Sequence, residues 1–137
     1  MKNNRPILLV EDDKIDAMTV KRAIKDLKIS NELTHVCNGL EALEHLKNTS
    51  NENPCIILLD LNMPKMNGIE LLKILKADGS LKKIPVVVLT TSNAEKDKTE
   101  SFNLSVAGYM LKPVDYKQFV EVIKDINLYW SLSEIPD

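Results

Sequence analysis

The stretch "PCIILLDLNMPKMNG", from Pro54 to Gly68, joins an unbroken apolar run to a carboxylate and then to a turn. Its apolar part, Cys55–Leu59, shows no alternation of polar and apolar residues. Continuous apolarity over about four to eight residues is typical of a strand that is buried on both faces of a sheet. The stretch therefore predicts a strand of a parallel sheet that brings Asp60 to its carboxyl end.

Other segments repeat this form and alternate with helical patterns. Three further apolar runs and one less regular segment predict strands at Ile7–Val10, Val86–Leu89, Tyr109–Leu111 and Glu32–Asn38. Between the runs, apolar residues recur at the spacing of a helix with one buried face, and the last helix is expected from about Asp115 to Trp130. This alternation predicts an α/β domain with a doubly wound, five-stranded parallel sheet and helices on both faces.

The segment from Asn93 to Leu104 has the weakest helical pattern, since it offers few apolar residues for burial. Ser92 followed by Glu95 has the spacing of a capping box, which predicts a helix that starts near Asn93. A helix with few buried contacts is displaced at low cost. We therefore expect this helix to be the loosest element of the fold.

Composition limits the classes of function. The chain has 137 residues, of which 44% are hydrophobic and 28% charged, with a formal net charge of -2. A single domain over residues 1–137 is expected, without the basic excess of a protein that binds nucleic acid directly. The N-terminal apolar run is too short for a signal peptide or membrane span, and Cys37 and Cys55 fit reduced core positions. These features predict a cytoplasmic protein with no membrane contact.

Polar side chains follow the predicted strands. Glu11 and Asp12 come after the first strand, Asp60 after the third, Thr90 after the fourth and Lys112 after the fifth. The carboxyl ends of parallel strands lie at one edge of a sheet, where ligands bind at the switch of strand order. These five side chains are therefore expected to meet in one crevice.

The three carboxylates would repel one another unless a cation lies between them. Oxygen donors without nearby His or Cys favour Mg²⁺, or Mn²⁺ in its place, over zinc, and such a site suits a phosphoryl group. A simpler explanation exists for a single acid, because Asp12 or Asp13 could merely cap the helix that follows. Together, the three acids, the Thr90 hydroxyl and the Lys112 ammonium favour a phosphoryl site over a simple helix cap.

Four motifs in order resemble the signatures of bacterial response-regulator receiver domains. They are "ILLVEDD" (Ile7–Asp13), "LLDLNMPKMNG" (Leu58–Gly68), "VVVLTTS" (Val86–Ser92) and "GYMLKPV" (Gly108–Val114). The resemblance covers roughly Arg5 to Ile126. It implies a CheY-like, flavodoxin-like fold with strand order 2-1-3-4-5, and a stand-alone regulator that takes part in a two-component phosphorelay.

The resemblance also implies roles for the residues at the crevice. Asp60 would accept a phosphoryl group from the phosphohistidine of a sensor histidine kinase. Glu11, Asp12 and Asp60 would hold Mg²⁺ together with the backbone carbonyl of Asn62. Lys112 would contact the phosphoryl oxygens, which fits the need of phosphoryl transfer for cations around the transferred group.

Two further residues match the switch positions of this family. Thr90 would hydrogen-bond the phosphoryl group, and Tyr109 would turn inward behind it. The peptide bond before Pro113 is expected to be cis by analogy. The protein would then be a conformational switch that assists its own phosphorylation and dephosphorylation, and not an enzyme in the ordinary sense.

Two other classes of protein share features of this crevice. Hydrolases of the haloacid dehalogenase type also place an aspartate after a parallel strand, but they require a second aspartate where this chain has Asn62. A flavodoxin-like module would bind flavin at the same edge, but acids and Lys112 suit a flavin phosphate poorly. A phosphotransfer assay separates these alternatives.

The residues after the last core helix, 127–137, form "NLYWSLSEIPD". We expect an aromatic C-terminal tail beyond a core of about residues 5–126. Tyr129 and Trp130 serve equally well in an interface or against their own domain. We expect no effector domain and therefore expect output through a downstream protein or a homodimer. This tail and the segments "TTSNAEKDK" and "LKPVDY" look similar to those of small receivers paired with phytochrome-like sensor kinases.

Overall fold

The computed structural model describes residues 4–133, in which strands and helices alternate along the chain. The strands are β1 Ile7–Val10, β2 Leu33–Val36, β3 Ile56–Leu59, β4 Val86–Thr90 and β5 Gly108–Leu111. The helices are α1 Lys14–Asp26, α2 Gly39–Lys47, α3 Gly68–Ala77, α4 Glu95–Asn103 and α5 Tyr116–Leu132. A short 3₁₀ turn, Leu81–Lys83, precedes β4.

The five strands form one parallel sheet in the order β2-β1-β3-β4-β5, which confirms the predicted order. The strand order reverses at β1, whose two neighbours are β2 and β3. Val10, the last residue of β1, is in register with Leu59, the last residue of β3. The residues that follow these two strands, Glu11 and Asp60, therefore enter the crevice side by side.

Each face of the sheet carries its own apolar core. Leu8, Val10 and Leu59 belong to the core with α2 and α3, whereas Ile7 and Leu9 belong to the core with α1 and α5. Residues of β1, β3 and β4 are buried on both faces, as their continuous apolar runs predict. Burial of each large aliphatic side chain contributes about 1.5–3 kcal/mol to the free energy of folding. This burial holds the strands in place and thereby fixes the positions of the residues at their carboxyl ends.

The final helix is longer than the sequence pattern predicts. α5 continues to Leu132, so residues 127–132 form its last turns instead of a separate tail, while residues 134–137 of the expected tail lie outside the described part. Trp130 is buried against its own domain, and the neighbouring Tyr129 is 61% exposed. Trp130 thus packs against its own domain, whereas Tyr129 lies at the surface, where it is available for an interface.

Helix α4 starts later than predicted, and the predicted capping box is wrong. The helix begins at Glu95, and the residue before it, Ala94, makes no side-chain cap. The Ser92 hydroxyl instead donates a hydrogen bond to the Asp97 carboxylate at 2.5 Å. Of the residues of α4, all of which are described, only Ser101 is buried, which agrees with the weak apolar pattern. That α4 is the loosest element remains a prediction.

None of the helices within residues 4–133 has both the length and the apolarity that a membrane span requires.

Gly68 makes the tightest backbone approach below the crevice, and we predict that Gly68→Ala destabilises the fold. A Cβ atom at this position would lie 2.7 Å from the Asp60 carbonyl oxygen and 2.7 Å from the Leu61 Cα. The backbone must move to relieve this overlap, and such overpacking costs about 1–3 kcal/mol. Urea unfolding of Gly68→Ala and the native chain would measure the loss.

Gly79 provides the matched control, because a Cβ atom there would meet nothing within 4 Å. Gly79→Ala should leave stability unchanged or raise it by about 0.4–1 kcal/mol. Equal unfolding free energies for the two variants would contradict the close approach at Gly68.

Candidate functional site

The crevice is built by the first residues beyond strands β1, β3 and β5 and by the last residue of β4. Backbone hydrogen bonds extend the sheet into it: the Asp60 N–H donates to the Val10 carbonyl at 3.1 Å. The Lys112 N–H donates to the Thr90 carbonyl at 2.9 Å. Asp60 and Lys112 are therefore held in place by backbone hydrogen bonds to the neighbouring strands.

Three acidic residues predicted from the sequence do meet there. One carboxylate oxygen from each of Glu11, Asp12 and Asp60 lies within 4.8 Å of the others. Glu11 and Asp60 are buried, with 1% and 6% exposure, whereas Asp12 is exposed. Two acids therefore form the floor of the crevice and the third stands at its open side, where a bound ion would keep access to water.

The electrostatics of this cluster favour a divalent cation. Burial raises the pKa of Glu11 to about 7; the charge of Asp60 adds to the rise, while the hydrogen bond from Lys112 opposes it. A buried carboxylate with a raised pKa is one whose charge is incompletely compensated. Oxygen ligands of this kind fit Mg²⁺ or Mn²⁺, so the residues present suit the ion that the sequence predicts.

Lys112 is the cation that the structure itself supplies. Its Nζ atom lies 2.5 Å from Glu11 Oε1, 2.8 Å from Asp16 Oδ2 and 3.5 Å from Asp60 Oδ2. The Lys112 side chain is only 5% exposed. Burial alone lowers the pKa of Lys112, but hydrogen bonds to Asp16 and Glu11 and the charge of Asp60 raise it above its ordinary value. The ammonium therefore stays charged and tied to the carboxylates.

Two contacts at the crevice have no counterpart among the sequence predictions. Asp16, in the first turn of α1, reaches Lys112, and His35 Nε2 lies 2.7 Å from the Glu11 carbonyl oxygen. Asp16 could have been found from its place one turn beyond the acidic pair. His35 carried no such signal, because a half-buried strand histidine has no characteristic spacing.

Asp13 and Asn62 lie beside the cluster in different roles. The Asp13 carboxylate accepts hydrogen bonds from the Ile15 and Asp16 N–H groups at 2.9 and 3.1 Å, so Asp13 is the N-cap of α1. The N–H of Asn62 donates to Asp60 Oδ1 at 3.4 Å, and its side chain is exposed. Of the two acids considered as caps, Asp13 fills that role and Asp12 joins the cluster.

The two predicted switch residues are linked through Ser92. Thr90 is fully buried, and its Oγ1 accepts a hydrogen bond from the Ser92 N–H at 3.2 Å. The hydroxyl of Tyr109, which is half-buried, donates to the Ser92 carbonyl at 2.9 Å. Burial raises the pKa of the Tyr109 hydroxyl, which remains a proton donor at neutral pH. Both residues therefore hold the loop that leads into α4.

The expected cis bond before Pro113 is wrong. No peptide bond within residues 4–133 is cis, so Lys112 and Pro113 are joined in trans. The trans isomer is the intrinsically favoured one for a peptide bond before proline, by about 0.5–1 kcal/mol.

Known proteins share both this sequence and this architecture. A family model described as the response regulator receiver domain matches residues 7–124. The response regulator Rcp1 of Synechocystis sp. is 40% identical over 128 residues, which cover 90% of this chain and 87% of that protein. A crystal structure of the Mn²⁺-bound form of response regulator Rcp1 superposes with a TM-score of 0.89 at 38% identity, covering 97% of this chain and 99% of that crystallised chain.

A second solved structure is also similar over its whole length. It is the phosphorylated cyanobacterial phytochrome response regulator RcpA, with a TM-score of 0.92 and 36% identity, covering 98% of this chain and 100% of that one. These similarities favour a signalling protein over the hydrolase and flavin-binding alternatives. Both the sequence and the fold place the chain in one family: it is a member of the response regulator receiver domains.

Proposed function

We propose that Asp60 is the phosphoacceptor of this receiver domain and takes its phosphoryl group from the phosphohistidine of a sensor histidine kinase. The observation that carries the proposal is the position of the Asp60 carboxylate. It is buried at the carboxyl edge of the sheet, 3.5 Å from the Lys112 ammonium and grouped with two further acids. This arrangement would bring the nucleophile, a cation and the metal ligands together at one point.

The transfer needs little from the protein beyond position and charge. A carboxylate oxygen of Asp60 attacks phosphorus as the P–N bond to the kinase histidine breaks, and the leaving imidazole nitrogen keeps the electron pair of that bond. Lys112 stabilises the negative charge on the phosphoryl oxygens. Glu11, Asp12, Asp60 and the backbone carbonyl of Asn62 would hold Mg²⁺. A bound Mg²⁺ would supply further positive charge to the same oxygens.

Dephosphorylation uses the same groups, with water as the acceptor of the phosphoryl group. The chain therefore assists both its phosphorylation and its dephosphorylation. Water attacks phosphorus as the bond to the Asp60 oxygen breaks; that oxygen keeps the electron pair, the carboxylate is restored, and inorganic phosphate leaves with the protons of the water. Lys112 again faces the phosphoryl oxygens. This supports the view of the chain as a switch with a limited lifetime, and not as an enzyme with a separate substrate.

Phosphorylation would be read through Thr90 and Ser92. A phosphoryl group on Asp60 offers the Thr90 hydroxyl an acceptor that the unmodified protein lacks. Reorientation of Thr90 would weaken its bond from the Ser92 N–H, and Ser92 also holds Tyr109 and Asp97. The first turn of α4 is thereby coupled to the crevice, and a switch needs such a contact that differs between its two states.

The proposed partners follow from the family and from the surface. The likeness to a phytochrome response regulator supports a phytochrome-like sensor kinase as the phosphodonor, which would act in the cytoplasm. Output would pass to a downstream protein or a homodimer, without direct binding to nucleic acid. Leu128, Tyr129 and Leu132 on α5 are 58%, 61% and 75% exposed, and they provide apolar surface for such a contact.

Asp60→Asn should abolish phosphorylation. We expect phosphoramidate with Mg²⁺ to add one phosphoryl group to the native chain, and chelation of Mg²⁺ with EDTA to prevent it. The asparagine amide is nearly isosteric with the carboxylate but lacks its nucleophilic oxygen. Intact-mass measurement of both proteins after equal incubation checks the prediction. Labelling of the variant at the native level would falsify the assignment of Asp60.

Mg²⁺ should raise the melting temperature of the native chain through the acidic cluster. At ten times its dissociation constant, a ligand of the folded state contributes about 1.4 kcal/mol of stability. Asp12→Asn removes one cluster carboxylate and should greatly reduce this effect. Asp13→Asn is the matched control, because the Asp13 carboxylate is next to Asp12 in sequence but caps α1 and lies outside the cluster. Equal Mg²⁺ responses of the two variants, measured by thermal unfolding, would speak against a metal site at Asp12.

A further inference from the structure

We propose that Asp16 shares the Lys112 ammonium with Glu11 in the unphosphorylated protein and thereby withholds part of its charge from Asp60. Lys112 Nζ lies 2.8 Å from Asp16 Oδ2 but 3.5 Å from Asp60 Oδ2. Asp16 thus competes with an incoming phosphoryl group for the ammonium and lowers the rate of phosphorylation. This inference rests on the function proposed for Asp60, and it adds a residue that tunes the same reaction.

The role of a helix cap does not explain Asp16. An acid at the third position of a helix often accepts a hydrogen bond from the N-cap N–H in a capping box. Here the N–H of the N-cap residue, Asp13, donates to Glu11 Oε2 at 3.2 Å, and the Asp13 carboxylate satisfies the Ile15 and Asp16 N–H groups. The Asp16 carboxylate turns instead across the crevice to Lys112.

The ammonium of Lys112 has three N–H donors to distribute. Glu11 Oε1 at 2.5 Å and Asp16 Oδ2 at 2.8 Å take two of them, and only the weaker approach at 3.5 Å is directed to Asp60. Phosphoryl oxygens on Asp60 would need the same positive charge. The Asp16 carboxylate draws that charge away and also repels the phosphoryl group, so both effects slow the transfer.

Loss of Asp16 would not release Lys112 from its place. Glu11 still binds the ammonium, and the Lys112 side chain is 5% exposed and enclosed by its neighbours. Position is therefore retained while a competing charge is lost. The ion pair between Asp16 and Lys112 is also easily broken, because the Asp16 side chain is 34% exposed. Both residues line a cavity of about 420 Å³, in which water can solvate the released carboxylate.

The test compares initial rates of phosphorylation by phosphoramidate and Mg²⁺. In this reaction the P–N bond breaks as the bond from Asp60 oxygen to phosphorus forms, and ammonia leaves with the electron pair. Asp16→Asn keeps the shape of the side chain and removes its charge. We expect its initial rate to exceed the native rate by about threefold to tenfold, as for loss of a partly screened charge beside the reacting group. Asp16→Glu should restore a rate close to the native one.

Two controls separate this inference from a merely structural effect. Asp13→Asn removes a carboxylate from the same turn without touching Lys112, and its rate should match the native rate. In a Lys112→Met background, Asp16→Asn should give a clearly smaller acceleration, since competition for the ammonium is gone and only the direct repulsion of the phosphoryl group remains.

Three outcomes decide between the proposals. An Asp16→Asn rate at or below the native rate overturns the role of Asp16, and so does an equal acceleration in the Lys112→Met background. Failure of the native chain to take up any phosphoryl group would instead overturn the proposed function of Asp60. The native and Asp13→Asn proteins therefore show which of the two proposals has failed.

Discussion

The rest of the site depends on the ion pairs that Lys112 makes with the carboxylates at the sheet edge. Glu11 and Lys112 have side-chain exposures of 2% and 5%, and Asp60 lies within 3.5 Å of the same ammonium. Removing one partner of such a buried pair typically costs about 3–5 kcal/mol, because the other charge is left uncompensated. The register of β1 against β3 and the pairing of β4 with β5 are what hold these groups together.

The sequence was informative where burial alone determines the structure. Unbroken apolar runs predicted the strands, and the polar residues that end them, such as Asp60 and Lys112, identified the crevice correctly. It was less informative where polar groups choose among several partners. Ser92 has the spacing of a capping residue, yet its hydroxyl bonds to Asp97 inside the helix it was expected to cap. Asp16 is one of several acids near the helix start, and only the fold shows that it faces Lys112.

The C-terminal helix shows the same distinction. Its periodicity predicted a helix from about Asp115, but the end of the helix depends on how far the sheet and α1 extend beneath it. Trp130 finds apolar surface there and is 9% exposed, which carries the helix to Leu132. Tyr129 points away from that core and packs edge-on against Trp130 with ring centroids 5.0 Å apart. An aromatic pair in sequence therefore does not reveal which member is structural.

Charge balance also suggests an order of events at the crevice. Glu11, Asp16 and Asp60 lie within 3.5 Å of the Lys112 ammonium, and Asp12 joins the same group of acids, so the acidic groups outnumber this one ammonium before any ligand arrives. A phosphoryl group adds about one further negative charge when it replaces the free carboxylate. Such an addition is unfavourable unless a divalent cation enters first and neutralises the acids. If Asp60 is phosphorylated as proposed, cation binding would then be a condition of the reaction, and the number of carboxylates around Lys112 would set how strongly phosphorylation depends on it.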